Sequence, residues 1–286
     1  MQIRLTMKEI IVAIDFSKGS LHALKYAIHF ANTAKCNIMM VYVDNHSGQD
    51  IPFSPESGEV RDELLRNFEE LAESVRPVLT EGKLCYKMRK GKVYQELATQ
   101  ARINKADLIL SGTHGISGFE EFWIGSNAFR IVSYAPCPVI TVRSSFDVSR
   151  PISNIVIPID HTVDTIQKLP LAATLAQLFN SQIHILALHS SRLKTLQTKI
   201  ETTVVKVEKY LSKCDVAFNA EFRFAENLTN TTLEFAAEAD TDLIIIMTER
   251  ESSDANILLG QFAQQMVNFS PVPIMSVQPK EVFVLA

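Results

Sequence analysis

The chain says one thing twice. Lys8-Glu-Ile-Ile-Val-Ala-Ile-Asp15 is answered by Ser153-Asn-Ile-Val-Ile-Pro-Ile-Asp160, and Ala135-Pro-Cys-Pro-Val-Ile-Thr-Val142 by Ser270-Pro-Val-Pro-Ile-Met-Ser-Val277. The two pairs come in the same order and at almost the same separation, so duplication of one folding unit is the economical explanation. Between these ends each half alternates short apolar runs with helical patterns. Strands are expected near 9–15, 38–44, 84–90, 107–112 and 138–143, then 154–160, 182–188, 216–224, 242–247 and 273–278. Helices are expected near 19–34, 59–76, 92–104 and 126–134, then 163–180, 192–212, 228–239 and 256–269. Alternating β and α with right-handed crossovers gives an α/β fold: two tandem open parallel sheets with helices on both faces. The expected domains are 1–145 and 152–286, joined by the polar link from Arg143 to Pro151. Each half keeps a Val- and Ile-rich last strand, at 138–143 and 273–278, whose edge is an aggregation hazard unless paired.

With 286 residues, 47% of them hydrophobic, the chain can bury two cores. A net charge of -4 provides no basic field for nucleic acid, and no apolar run is long enough for a membrane span. Residues 1–7 lack the apolar core of a signal peptide, so a cytoplasmic location is expected. Cys36, Cys85, Cys137 and Cys214 form no C-x-x-C pair and are expected to be buried thiols. His22 and His29, two turns apart, read as surface positions of the first helix.

Function points to one loop. The buried-strand pattern Asp107-Leu-Ile-Leu-Ser111 runs into Gly112-Thr113-His114-Gly115, and after nine more residues Gly125-Ser126 opens a helix. Glycine permits positive φ and close approach of an anion to backbone nitrogen. A helix start adds unpaired N–H groups and the positive end of its dipole, so this is how a chain builds a phosphate cradle.

Gly112-x2-Gly115-x9-Gly125-Ser126, the opening Ile11-Val-Ala-Ile-Asp15-Phe-Ser17 and the ending Pro136-Cys-Pro-Val-Ile-Thr-Val142 resemble the nucleotide-binding branch of the universal stress proteins. The resemblance covers nearly the whole chain as a tandem protein. It implies an adenine nucleotide alpha hydrolase-like fold with strand order 3-2-1-4-5 in each half, and an internal pseudo-dimer in which the halves pair through their last strands, 138–143 and 273–278. It also implies an ATP site above strands one and four, with or without a magnesium or manganese ion. By position, Asp15 is the acid that meets the ribose or adenine side, and Ala13 and Ile14 lie beside the ring. Tyr42 falls where the strand-two backbone meets the adenine edge, and its ring could equally fill the core. Gly112 and Gly115 close the loop on the phosphates, His114 is a passive donor within it, and Gly125, Ser126 and Asn127 supply donors from the helix start.

The second half departs from this pattern. At an offset of 135, Gly112 becomes Met247, Gly115 becomes Arg250 and Ser126 becomes Gln261, while Gly125 survives as Gly260. One nucleotide per chain is therefore expected. Arg250 is expected to fill the vacant site, recruiting an anion or turning back to Asp160, Glu249 or Glu251. Asp160 itself reads as an acid kept for strand-end hydrogen bonding.

No G-x-x-x-x-G-K-[ST] and no G-x-G-x-x-G is present. Glu120 and Glu121 read as an exposed acidic face, and Trp123 with Phe119, Phe122 and Ile124 as a packed cluster. Transfer chemistry needs a positioned nucleophile and charge compensation that the sequence does not name. An ATP-binding stress-response regulator with little or no turnover ranks first. A slow metal-dependent ATPase or phosphotransferase, and an assembly module without nucleotide, are the alternatives. Homodimerisation of the whole chain is left open.

Overall fold

The computed structural model describes residues 7–45, 56–113, 126–162, 164–248, 250–253 and 256–279. The first half runs β1 (Glu9–Ala13), α1 (Lys18–Ala34), β2 (Asn37–Asp44), α2 (Glu56–Val75), β3 (Leu84–Lys90), α3 (Val93–Asn104), β4 (Leu108–Gly112), α4 (Ser126–Tyr134) and β5 (Val139–Val142). The second runs β6 (Asn154–Ile159), α5 (Leu169–Phe179), β7 (Gln182–His189), α6 (Lys194–Lys213), β8 (Phe218–Phe224), α7 (Leu228–Glu238) and β9 (Leu243–Met247). A hairpin of β10 (Arg250–Ser253) and β11 (Asn256–Leu259) follows, then α8 (Gln261–Phe269) and β12 (Ile274–Val277).

The ten long-range strands form one sheet, ordered β3-β2-β1-β4-β5-β12-β9-β6-β7-β8. Each half has the expected 3-2-1-4-5 order, with parallel pairing throughout. The halves join where β5 meets β12 antiparallel, with Ile140 opposite Met275 and Thr141 opposite Ile274. The two last strands thus remove each other's open edge. Central strands such as Ile10-Ile11-Val12 and Leu243-Ile-Ile-Ile246 are buried on both faces, which is why they read as continuous apolar runs rather than alternating ones. The free edges, β3 and β8, instead carry charges and partial exposure. Cys85 lies on β3 and is exposed, and Cys214 is half-buried, so only Cys36 and Cys137 are the buried thiols expected of all four.

The duplication extends to hydrogen bonds. Asp107 accepts from the backbone N–H groups of Lys8 and Glu9, and Asp242 accepts from those of Ser153 and Asn154. The first helix of each half ends on a left-handed cap, Lys35 in α1 and Asn180 in α5, whose N–H returns to Ala31 or Ala176. Beyond the joined strands, the Arg143 guanidinium donates to the carbonyls of Ser270 and Asn268 at the end of α8, and Gln278 donates to Val132 and Ser133 at the end of α4. These are matching contacts across a pseudo-two-fold axis.

Helices α1, α2, α5 and α6 cover one face of the sheet, and their apolar residues merge into a single core spanning both halves. On the other face α3 with α4, and α7 with α8, cover separate cores. The shared core corrects the reading of the histidines. The His29 ring stacks on Phe179 of α5, and His22 Nε2 meets the Phe146 carbonyl at 2.8 Å, so both lie where α1 meets the second half and the link. Phe146 and Ile152 are buried, so the link is packed rather than merely polar.

Two expected helices are also revised. The helix foreseen over 256–269 begins only at Gln261, because Asn256–Leu259 pairs with Arg250–Ser253 and Leu259 packs into the first half's core beside Ile131 and Val132. The helix foreseen over 163–180 opens with a 3-10 turn at Asp164–Ile166 before α5 starts.

Candidate functional site

The candidate site is the carboxyl ends of β1, β2 and β4, the place where open parallel sheets receive ligands. β1 ends at Ala13, Ile14 is buried, and Asp15 turns the chain into α1. Ser17 caps α1, its Oγ accepting from the Ser20 N–H at 3.2 Å. Asp15 Oδ1 accepts from the Ser17 N–H at 3.0 Å and the Asp15 N–H donates to Ser20 Oγ at 3.3 Å. This local network orients the carboxylate and leaves Oδ2 without a donor among the described residues. Phe16 takes the left-handed conformation, φ 60°, and packs against Phe68 and Tyr42. A bulky residue holds that conformation only where its surroundings impose it.

The Ile14 N–H donates to the Val41 carbonyl at 2.9 Å, and the Gly91 N–H to the Asp44 carbonyl at 2.9 Å. Val41 therefore addresses β1, whereas Asp44 and Tyr42 address β3. By alternation, Val43 is the β2 residue whose backbone faces the open end of β1. Tyr42 brings its half-buried ring. Burial first, then the charges of Asp44 and Asp15, push its hydroxyl above the usual tyrosine range. Beyond Tyr42 opens a cavity of about 690 Å³, bordered by Asp44, Tyr86 and the cations Arg61, Lys87 and Lys90.

Gly112 ends β4 directly against α1. A Cβ there would stand 2.7 Å from the carbonyl carbon and oxygen of Gly19. The next residue, Thr113, is buried and its N–H donates to Val142 at 3.1 Å. Ser126 starts α4 and Asn127 is exposed in its first turn. Ala13, Ile14, Asp15, Tyr42 and Gly112 are thus brought to one end of the sheet. His114, Gly115 and Gly125 lie outside the described residues, as do Glu120, Glu121 and Trp123.

A family model described as the universal stress protein family matches residues 6–143. A Staphylococcus saprophyticus relative that carries the family's name is 32% identical over 146 residues, spanning 49% of this chain and 86% of the relative. One from Staphylococcus aureus strain USA300 is 34% identical over the same length, again with 86% of the relative covered. The chain belongs to the universal stress protein family. Among solved structures, the universal stress protein from Archaeoglobus fulgidus DSM 4304 superposes with a TM-score of 0.76 over 94% of this chain and 98% of its own, at 16% identity. A functionally unknown protein from Pseudomonas aeruginosa PAO1 gives 0.66 over 98% and 95%, at 15% identity. These likenesses place the tandem universal stress fold over both halves.

The second half repeats the strand-end network of this family member. Asp160 Oδ1 accepts from the Thr162 N–H and hydroxyl, and the Asp160 N–H donates to Thr165 Oγ1 at 3.2 Å. Asp160 therefore has the strand-end role read from the sequence. Met247 stands where the first half has Gly112, and its side chain cannot share the space that Gly112 leaves for the helix. Correspondingly, the first regular turn of α5 starts at Leu169, six residues later in register than Lys18 of α1. The Arg250 backbone opens β10 opposite Leu259, and its side chain lies outside the described residues.

Sequence reasoning missed Lys168, which is 2% exposed. Its Nζ donates to the Thr165 carbonyl at 2.6 Å and lies 3.4 Å from Thr165 Oγ1. Burial pulls this ammonium down to about 8, against a smaller opposing effect of Asp160. The signal was present: in the register that pairs Asp15 with Asp160 and Leu24 with Leu169, Lys168 replaces buried Ala23.

Proposed function

We propose that the first half binds one ATP molecule and that the protein is a nucleotide-dependent regulator of a stress response in the cytoplasm. The base lies at the ends of β1 and β2 beside Ala13, Ile14 and Tyr42, and Asp15 holds the ribose. The phosphates lie at Gly112, His114 and Gly115 and at the helix start formed by Gly125, Ser126 and Asn127. The observation that carries this reading is Asp15, oriented at a strand end by Ser17 and Ser20 with one carboxylate oxygen unspent, next to a half-buried aromatic ring. A carboxylate oxygen without a protein donor suits a ribose hydroxyl, which donates to it without bringing a competing charge.

Gly112 serves the loop and the packing of α1 together, so the case for phosphate rests on its combination with Gly115, Gly125 and Ser126. Any magnesium or manganese ion would travel with the triphosphate, since no trio of His, Cys, Asp or Glu is gathered among the described residues. Binding changes what the 112–126 surface presents to a partner. Turnover is slower than about 1 per second, because among the described residues none is positioned as base or nucleophile.

The test is to denature the purified protein by heat and identify the released nucleotide by chromatography. Adenine nucleotide at up to one per chain is expected. Protein that releases none, and gives no calorimetric heat with ATP, overturns the reading.

A further inference from the structure

We propose that the second half holds a separate ligand site, in which Lys168 receives the carboxylate of a small organic acid with an apolar tail. The site is the cavity at the carboxyl ends of β6, β7 and β9, about 300 Å³ in volume. It does not depend on nucleotide binding by the first half.

Lys168 supplies the first reason. An ammonium out of water is costly unless a counter-charge meets it. Among the described residues no carboxylate lies within ion-pair distance of Lys168, and its acceptors are two oxygens of a single threonine. The matching position of the first half, Ala23, buries a methyl group, so the fold does not require a lysine there.

A second cationic feature faces the same cavity. Phe262, in the first turn of α8, lines it, and the Gly260 N-cap of that helix has no side chain to satisfy the leading N–H groups. An anion between Lys168 and the start of α8 meets both.

The remaining lining sets the class of anion. Asp160 and Asp164 are the other titratable groups on the cavity among the described residues. Asp160 is held by Thr162 and Asp164 by Gln167. Two carboxylates repel a phosphate dianion or a triphosphate but tolerate a monoanion that pairs with the lysine. Leu188, Ile246, Met247 and Phe262 give the cavity its apolar lining, and the volume is at the lower end of ligand pockets. A short or branched aliphatic monocarboxylate satisfies charge, size and lining together.

Calorimetric titration of the full chain with sodium 4-methylpentanoate at pH 6.5 tests this. One acid per chain is expected, and Lys168→Met should lose at least about tenfold in affinity while ATP binding is unchanged. Wild-type affinity should fall as pH rises through about 8, where the ammonium is lost. Met247→Trp should abolish binding by filling the apolar end, and this variant and the pH profile decide the matter if Lys168→Met does not fold. Inorganic phosphate should not displace the acid. No binding by wild type, full affinity in folded Lys168→Met, or displacement by phosphate would each overturn the proposal. None of these results bears on the first-half site.

Discussion

Gly112 and Gly19 touch backbone to backbone: a Cβ added to Gly112 would lie 2.7 Å from the Gly19 carbonyl. This contact seats the start of α1 on the end of β4 and so places Ser17, Ser20 and Asp15 at the candidate site. The obstructing atoms are backbone, so no side-chain rotation relieves them. Gly112→Ala should destabilise the protein by roughly 1–3 kcal/mol, read as a lower urea midpoint. An unchanged midpoint would remove the packing role assigned to this pair.

Gly115→Arg imports into the first half the residue that the second half carries at Arg250. Loop substitutions leave cores intact, so circular dichroism and the melting transition should stay as in wild type. ATP binding should disappear. Unchanged affinity in the folded variant would contradict the proposed phosphate site.

Calorimetric titration with ATP should give a stoichiometry near one. Arg250→Gly alone should not create a second site, because Met247 still occupies the space that Gly112 leaves open and Gln261 still stands at the helix start. Two equivalent nucleotides per chain would refute the asymmetry between the halves.

His29 is held below the ordinary histidine value of 6.5 by burial. The unfolded chain then binds more protons than the native one, so this group's contribution is intact above 6.5 and declines as pH falls toward the native value. Because His29 stacks on Phe179, the loss weakens the union of the halves. His29→Leu should flatten the acid side of a stability-against-pH curve, leaving the slope due to His184, which burial shifts in the same direction. Parallel acid limbs for variant and wild type would exclude this role.

Lys168 titrates natively at about 8 and at about 10.5 when unfolded. Its burial penalty is therefore fully present below 8 and is relieved as pH rises from 8 to 10.5. Lys168→Met should gain roughly 1–3 kcal/mol at pH 7 in urea unfolding and lose that alkaline rise. A destabilised methionine variant would mean that the ammonium has a partner beyond Thr165.

Much of the fold was legible because its signals are local. Apolar runs bounded by Gly and Pro marked the strands, and the repetition of whole segments marked two copies of one unit. Asp15 and Asp160 stood out because each ends a strand just before a helix. The errors share a different origin. Asn256–Leu259 reads as helix in isolation, but Leu259 is captured by the core of the other half. His22 and His29 look polar enough for a surface, and only the meeting of α1 with the link and with α5 half-buries them.

The sequence by itself determined the duplication and the α/β alternation, because hydrophobic period and chain punctuation act over a few residues. Tertiary structure alone decided that Gly112 must yield space to Gly19, that Met247 goes with a delayed start of α5, and that Lys168 is shut away with no carboxylate in ion-pair reach among the described residues. Each of those outcomes depends on which distant backbone comes within a few ångströms, and burial, the quantity that sets the cost of a charge or a Cβ, exists only after the layers have packed.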